Sequence, residues 1–410
     1  MKKFFVIWIS QAASLLGSSV VNFALAWYLT QETGSATILA TATMIAILPQ
    51  IILGPLIGPY IDRWDRKKII IISDSFVALV TAGLVALFFT EAIQIWHIYI
   101  AMIARSVGGT FHFPSIAASI PLIVPEKHLA RVAGLNQMLG GIINIIGPPA
   151  GALLMETLPI YGVLAVDIVT AIIAVGLISL IGIPKPLRTT LVEKASVISD
   201  MMQGFHFIWS WKGLAILLSL ASLSNFFLVP AFNLTPLFVA EHLENDVLKL
   251  GWLNSAFGIG IIAGGLILGV WGGFKKRIYT VIMAISIEGV SAVIFGFTTA
   301  GSFFLGLSCA FLLGTGIAMA NGPLTAIFQS VIPHDIQGRV FTIMGAISAA
   351  ATPLGLAIAG PLADVIGIRS LYYIAGIGTF ISGIAFVFIP AVMNLENYKP
   401  DESTQPTTKA

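Results

Sequence analysis

Runs of about 20 apolar residues recur along almost the whole chain, and that pattern excludes most folds at once. A helix rises about 1.5 Å per residue, so each run is long enough to cross a hydrocarbon core of about 30 Å. Within that core no water satisfies peptide N–H and C=O groups, so a crossing segment must be a helix or part of a closed barrel. The runs are continuous where a barrel strand would alternate apolar and polar residues, which leaves helices. Twelve spans fit: 4–29, 36–60, 69–90, 93–114, 132–155, 159–183, 213–239, 250–272, 278–299, 302–326, 339–362 and 368–391. The balance of the 410 residues agrees, with 57% hydrophobic and only 10% charged. The start, Met1-Lys2-Lys3 and then Phe4 to Leu16, has the layout of a secretion signal, but apolar character continues to Leu29. A signal's apolar region covers only about 7–15 residues, so this first helix is expected to be retained. The single cysteine, Cys309, excludes an intrachain disulfide and a thiolate metal cluster.

Basic residues set the expected orientation. With the N-terminus inside, eighteen of the 21 Lys and Arg residues fall in cytoplasmic segments; Lys249 and Arg369 fall outside, and Arg105 lies within a span. Both termini are therefore expected in the cytoplasm. One long polar connection, 184–212, follows the sixth span, so the expected fold is an all-α membrane protein with twelve transmembrane helices in two six-helix halves. The halves run 1–183 and 213–391, with 184–212 as a cytoplasmic linker and 392–410 as a disordered polar tail. An internal repeat supports the division: Val124-Pro125 with Arg131-Val132 recurs as Ile332-Pro333 with Arg339-Val340. Gly54 to Lys68 and Gly264 to Arg277 likewise both end a span in a basic cluster. Two repeated halves with a site between them near mid-membrane is an architecture used for alternating access.

Six of the seven positions from Asp62 to Lys68 are charged. The basic ones serve as cytoplasmic anchors, but that does not account for Gly58, Asp62 or Asp65. A carboxylate at a helix end can accept hydrogen bonds from another helix's unpaired N-terminal amides, and an Arg one turn away can pair with it. Gly58, Asp62, Arg63 and Arg66 are thus candidates for a conformational latch, while Asp65 has no role in this reading. Arg105 sits near mid-membrane, where an Arg costs about 2.5–3.5 kcal/mol on insertion scales, so it must face a cavity or a partner. Glu288 is as deep, and Asp167 and Asp74 lie nearer the outer and inner ends of their spans. A carboxylate that moves between an apolar setting and a nearby cation can load and release a proton. Arg105, Glu288, Asp167 and Asp74 are the coupling candidates, with a buried pair or plain packing as the alternative. The first span offers Gln11, Ser14 and Asn22 but no acid.

A substrate site between the halves would draw on Asn22, Phe23 and Trp27 of the first span, Phe111 and His112 of the fourth, and Asn225, Phe226, Phe227 and Asn233 of the seventh. Aromatic faces with scattered amides suit an amphipathic small molecule. Each of these side chains can equally serve the core or face lipid. In the fifth span, Gly147-Pro148-Pro149-Ala150-Gly151-Ala152 permits close helix approach.

Gly58-Pro-Tyr-Ile-Asp62-Arg63-Trp-Asp-Arg66-Lys67 resembles the loop motif of the major facilitator superfamily, Gly-x-Leu-Ala-Asp-Arg-x-Gly-Arg-Lys, with Tyr60, Ile61 and Asp65 departing from it. Arg105-Ser-Val-Gly-Gly109 resembles the family's Arg-x-x-Gln-Gly, with Gly108 in place of Gln. The fifth-span segment resembles the antiporter motif Gly-Pro-x-x-Gly-Gly, with Ala152 in place of the last Gly. Together with "SQAASLLGSSV", "LTQETGSA" and "LIVPEKHLARVAGLNQ", these stretches resemble the macrolide-efflux branch, which includes siderophore-exporter relatives. The resemblance implies a latch between the halves at Asp62, Arg63 and Arg66, proton coupling at Arg105, and antiport-type packing at Gly147, Pro148 and Gly151. It implies drug/proton antiport in a bacterial cytoplasmic membrane, macrolides being the first substrate expected, with no cofactor, no metal, no nucleic acid and a single copy of the chain. Export of a siderophore or other metabolite, nutrient uptake, and a membrane-embedded enzyme or scaffold are the alternatives. No Gly-x-x-x-x-Gly-Lys-Ser/Thr loop supports an ATP-driven pump. The close His and Asp pairs, His242 with Asp246 and His334 with Asp335, have no acyl-transfer motif around them.

Overall fold

Apolar runs bounded by capping residues become helices along the chain. The computed structural model describes residues 2–182, 197–332 and 336–394, and all regular structure among them is helical. The first six helices are α1 (Lys2–Thr33), α2 (Ala36–Arg63), α3 (Arg66–Phe89), α4 (Ile95–Ile123), α5 (Leu129–Thr157) and α6 (Ile160–Ser179). There follow α7 (Val197–Ser210), α8 (Lys212–Asn233), α9 (Thr235–His242), α10 (Val247–Trp271), α11 (Arg277–Gly296), α12 (Phe303–Val331), α13 (Gln337–Ile366) and α14 (Ile368–Ala385). Local signals set several starts. Ser35 caps α2, and Asp246 caps α10 by accepting from the amides of Leu248 and Lys249.

Eleven of the described helices are long and apolar enough to cross a membrane. The twelfth expected span is α4, whose 29 residues are ample in length but diluted by Arg105, His112, Pro114 and Pro121. Its packing between α2 and α3 places it within the bundle.

The structure differs from expectation in two places. The seventh span, expected as 213–239, ends at Asn233, and the chain restarts as α9 with Pro236 in its first turn. Of the expected linker 184–212, residues 184–196 lie outside the described ones, while 197–210 form α7. Ile208 is fully buried against the core of the second half, with Phe207 and Trp211 packed beside it, whereas Phe205 and Trp209 are exposed. Residues 395–410 of the expected tail also lie outside the described part.

Helices α1–α6 pack mainly on one another, as do α8 and α10–α14. The two groups meet along α2 with α13 and α5 with α10. Small residues set both seams. A Cβ on Gly360 of α13 would lie 2.7 Å from Ala40 Cβ and 3.0 Å from Thr37 Cα, and one on Gly251 of α10 would lie 3.0 Å from Pro149 Cα. Pro149 and Ala152 therefore lie in the α5–α10 seam, where Ser255 also donates to the Ile145 carbonyl at 2.7 Å, while Gly147 and Gly151 face Ser19 and Phe23 of α1. The largest buried cluster joins both groups near the α1–α2 turn: Trp27, Leu39 and Ala152 against Leu234, Phe238 and Tyr372. Among the described residues, the other buried clusters each stay within one group. Gln31 and Asn245 pair across the same end, with Asn245 Nδ2 donating to Gln31 Oε1 at 2.8 Å.

Candidate functional site

Arg105 and His112 are seven residues apart on α4, so they share one face of that helix. That face meets α3 and α6. Arg105 Nη1 lies 2.5 Å from Asp167 Oδ2 and also bonds Thr81 Oγ1. Thr81 donates to Asp167 Oδ2 at 3.1 Å, and Ser18 donates to Oδ1 at 2.9 Å. Asp167 is 1% exposed and Arg105 8%. Both carboxylate oxygens are thus engaged, which offsets the burial cost of Asp167, whereas the buried Arg105 Nε has no hydrogen-bond partner. Gly17 makes this possible, because a Cβ there would lie 3.1 Å from Asp167 Cα and hold α1 off α6.

A second buried acid lies on the same side of the cavity. Asp74 of α3 accepts from Gln11 Nε2 at 3.3 Å, and His112 Nε2 sits 3.0 Å from its other oxygen, within ion-pair distance. Asp74, His112, Arg105 and Asp167 line a cavity of about 260 Å³ in the first half, to which Asn22 and Gln50 also contribute. The expected coupling residues Arg105, Asp167 and Asp74 therefore come together, with His112 and Gln11 added by the structure.

Glu288 stands apart in the second half. It is 5% exposed, its Oε1 has no hydrogen-bond partner, and it reaches a cavity of about 340 Å³ between α8, α10, α11 and α12. A Cβ on Gly316 of α12 would lie 2.6 Å from Glu288 Cγ, so the missing side chain there lets the acid pass α12. Asn225, Asn233, Asn254 and Asn321 line the same cavity together with Phe232 and Phe257.

The nine residues expected to form one substrate site are divided. Asn22 and His112 line the first cavity, and Asn225 and Asn233 the second. Phe23 packs on Gly151 of α5 within the first half and against the shared core, to which Trp27 belongs, and Phe227 packs on that core and on Gly378. Phe226 meets Phe227 edge to face, with its carbonyl close to Gly355 of α13. Phe111 packs with Ile57, Ile61 and Ile69. Neighbours on a helix point about 100° apart, and here Phe111 turns to Ile57, Ile61 and Ile69 while His112 turns to the first cavity.

Of the expected latch, the side chains of Gly58, Asp62 and Arg63 lie outside the described ones. Arg66 Nη1 donates to the Ala118 carbonyl near the end of α4 at 2.6 Å, and Lys67 Nζ donates to the Ser179 carbonyl at the end of α6 at 2.7 Å. Cations placed at helix C-termini meet the negative ends of those dipoles. Asp65 now has a role, because it caps α3 by accepting from the amides of Lys67 and Lys68.

Sequence reasoning missed Asp364. From the last turn of α13 it accepts from the amides of Ala36 at 2.6 Å and Thr37 at 3.0 Å and from Ser35 Oγ at 3.0 Å. It thereby caps α2 from across the seam. A signal was present: Gly360-Pro-Leu-Ala-Asp364 repeats the pattern of Gly58-Pro-Tyr-Ile-Asp62, at the opposite end of the antiparallel α2–α13 pair.

The family model described as "Transmembrane secretion effector" matches residues 1–408. The chain is 34% identical to macrolide efflux protein A of Streptococcus pyogenes over 94% of this chain and 95% of that protein. The chain belongs to the major facilitator superfamily, in its macrolide-efflux branch. It is also similar to the multidrug efflux pump Tap of Mycolicibacterium fortuitum, at 27% identity over 93% of this chain and 94% of that one. A crystal structure of a bacterial homologue of the iron transporter ferroportin in an inward-facing state shares the fold, with a TM-score of 0.72 at 12% identity over 94% of this chain and 98% of that one. The protein is a multi-pass membrane efflux transporter of small molecules and not an enzyme.

Proposed function

We propose that this transporter exports amphipathic drugs, macrolides first, across a bacterial cytoplasmic membrane in exchange for protons. The observation that carries the coupling part is the placement of buried acids on cavity walls: Asp74 beside His112 in one half, and Glu288 without a hydrogen-bond partner to Oε1 in the other. A buried carboxylate favours the protonated form, and a nearby cation favours the ionised one, so a change of access can load and discharge each. Arg105 with Asp167 is the fixed ion pair around which Asp74 and His112 are arranged. The names of the relatives support efflux and supply the macrolide expectation.

With both termini in the cytoplasm, the face joined near the α1–α2 turn is the outer one, and the cavities open inward, where a drug bound for export is collected. Asp364 capping α2 holds the outer side shut. Asp62, with Arg63 and Arg66, holds the inner side in the alternate state by capping α13. Pro148 and Pro149 pass close to Gly251 of α10 in the seam about which the halves rock, while Gly147 and Gly151 seat α5 on α1. The chain works as a monomer.

The test is accumulation of radiolabelled erythromycin in everted membrane vesicles energised by respiration. Uptake into vesicles that stops when nigericin collapses the pH gradient is expected. Accumulation indifferent to the gradient removes the antiport, and a host lacking its own pumps that gains no protection from the protein removes drug efflux.

A further inference from the structure

The cavity of the second half is acceptor-rich. Asn233 donates from Nδ2 to the Val229 carbonyl at 2.9 Å, and Asn254 donates from Nδ2 to the Leu250 carbonyl at 2.9 Å. Each amide is oriented by that bond to its own helix, which leaves Oδ1 to offer to the cavity. Glu288 adds a carboxylate whose Oε1 meets no donor, and it is the one ionisable side chain among the described residues lining this cavity. Phe232 and Phe257, with ring centroids 4.8 Å apart, supply aromatic faces, which attract cations. A buried acid with no cation among the described residues lining its cavity, ringed by amide oxygens and aromatic faces, is the complement of a protonated amine that carries hydroxyl groups.

We infer that this cavity binds the basic amine of the substrate, with Glu288 as its counter-ion, Asn233 and Asn254 accepting from neighbouring hydroxyls, and Phe232 and Phe257 packed on the N-alkyl groups. The ligand class is a hydroxylated alkylamine, such as an amino sugar joined to an apolar body. This deepens the export reading and rests on it. The first-half cavity does not compete for the same group, because its acids already face Arg105 and His112. The division also gives Glu288 two partners in turn, the substrate ammonium and the proton.

Purified full-length protein in lipid nanodiscs tests this with a matched pair: erythromycin, whose sugar carries a dimethylamino group, and erythromycin N-oxide, which has the same shape without a net charge at that nitrogen. The wild type is expected to bind erythromycin about thirty-fold more tightly than the N-oxide, the scale on which a buried charge pair discriminates. Glu288→Gln should reduce that ratio to about one by weakening only the amine. Modification of Glu288 by dicyclohexylcarbodiimide, read by peptide mass spectrometry in the wild type, should be slowed by erythromycin and not by the N-oxide, which removes dependence on the variant's folding. Equal affinity for the two probes, a preference that survives Glu288→Gln, or equal labelling with both would overturn the assignment while leaving measured efflux intact. Binding of neither probe would overturn it as well, and would count against macrolides as the cargo.

Discussion

At the residue scale, burial sorts the charged side chains by the partners they have. Arg105 and Asp167 compensate each other's charge with help from Thr81 and Ser18, so removing one partner leaves an uncompensated buried charge, at a cost of about 3–5 kcal/mol. Arg105→Ala and Asp167→Asn should each lower the thermal midpoint in detergent sharply. The double variant should recover much of the loss, as read by fluorescence-detected size-exclusion melts. Strictly additive losses would show that the pair is not what makes either residue necessary. Glu288 is the opposite case. Its Oε1 gives up no hydrogen bond, so Glu288→Gln should leave stability within about 1 kcal/mol while abolishing gradient-driven uptake into everted vesicles. Arg105, Asp167, Asp74 and Glu288 were legible from sequence because ions are rare in apolar spans. Which acid meets Arg105 was not legible, since α3, α4 and α6 converge only through tertiary packing. His112 carried no signal for its acid either, because a histidine on an apolar face reads the same with or without one.

At the element scale, glycines decide which helices touch. Gly316 clears the path of Glu288 past α12, so Gly316→Ala should displace the acid and cut export several-fold with little change in the amount of folded protein. Unchanged transport would show that Glu288 need not cross there. The helices themselves were readable because each apolar run ends at a polar cap or a turn. The break at Leu234 is harder to read, because apolar residues resume beyond it, although Thr235-Pro236 is the signal of a new helix start. The helix α7 was hidden in a segment that seemed a linker, since its apolar face is short and is covered only by the second half's core. Asp65 shows the reverse: a residue that departs from the family pattern turns out to be an ordinary N-cap, a role that depends on where α3 starts.

At the scale of the whole molecule, the conformation rests on contacts gathered at one face, and these offer a direct measurement. Gln31 and Asn245 pair across that face, and Asp364 caps α2 beside them with three bonds. Loss of a helix cap costs about 0.5–2 kcal/mol, enough to shift a two-state equilibrium several-fold. The native Cys309 is 2% exposed, so a Cys309→Ser background leaves introduced thiols as the reporters. Gln31→Cys with Asn245→Cys should cross-link efficiently with a short bismaleimide in the resting protein. Adding Asp364→Ala should lower the yield several-fold by admitting the state in which Asp62 caps α13 at the other end. That state should in turn be lost with Asp62→Ala, restoring the cross-link. Recovery by the second substitution separates a balance between two caps from simple loosening of the fold, because a loosened fold would lose cross-linking further with each cap removed.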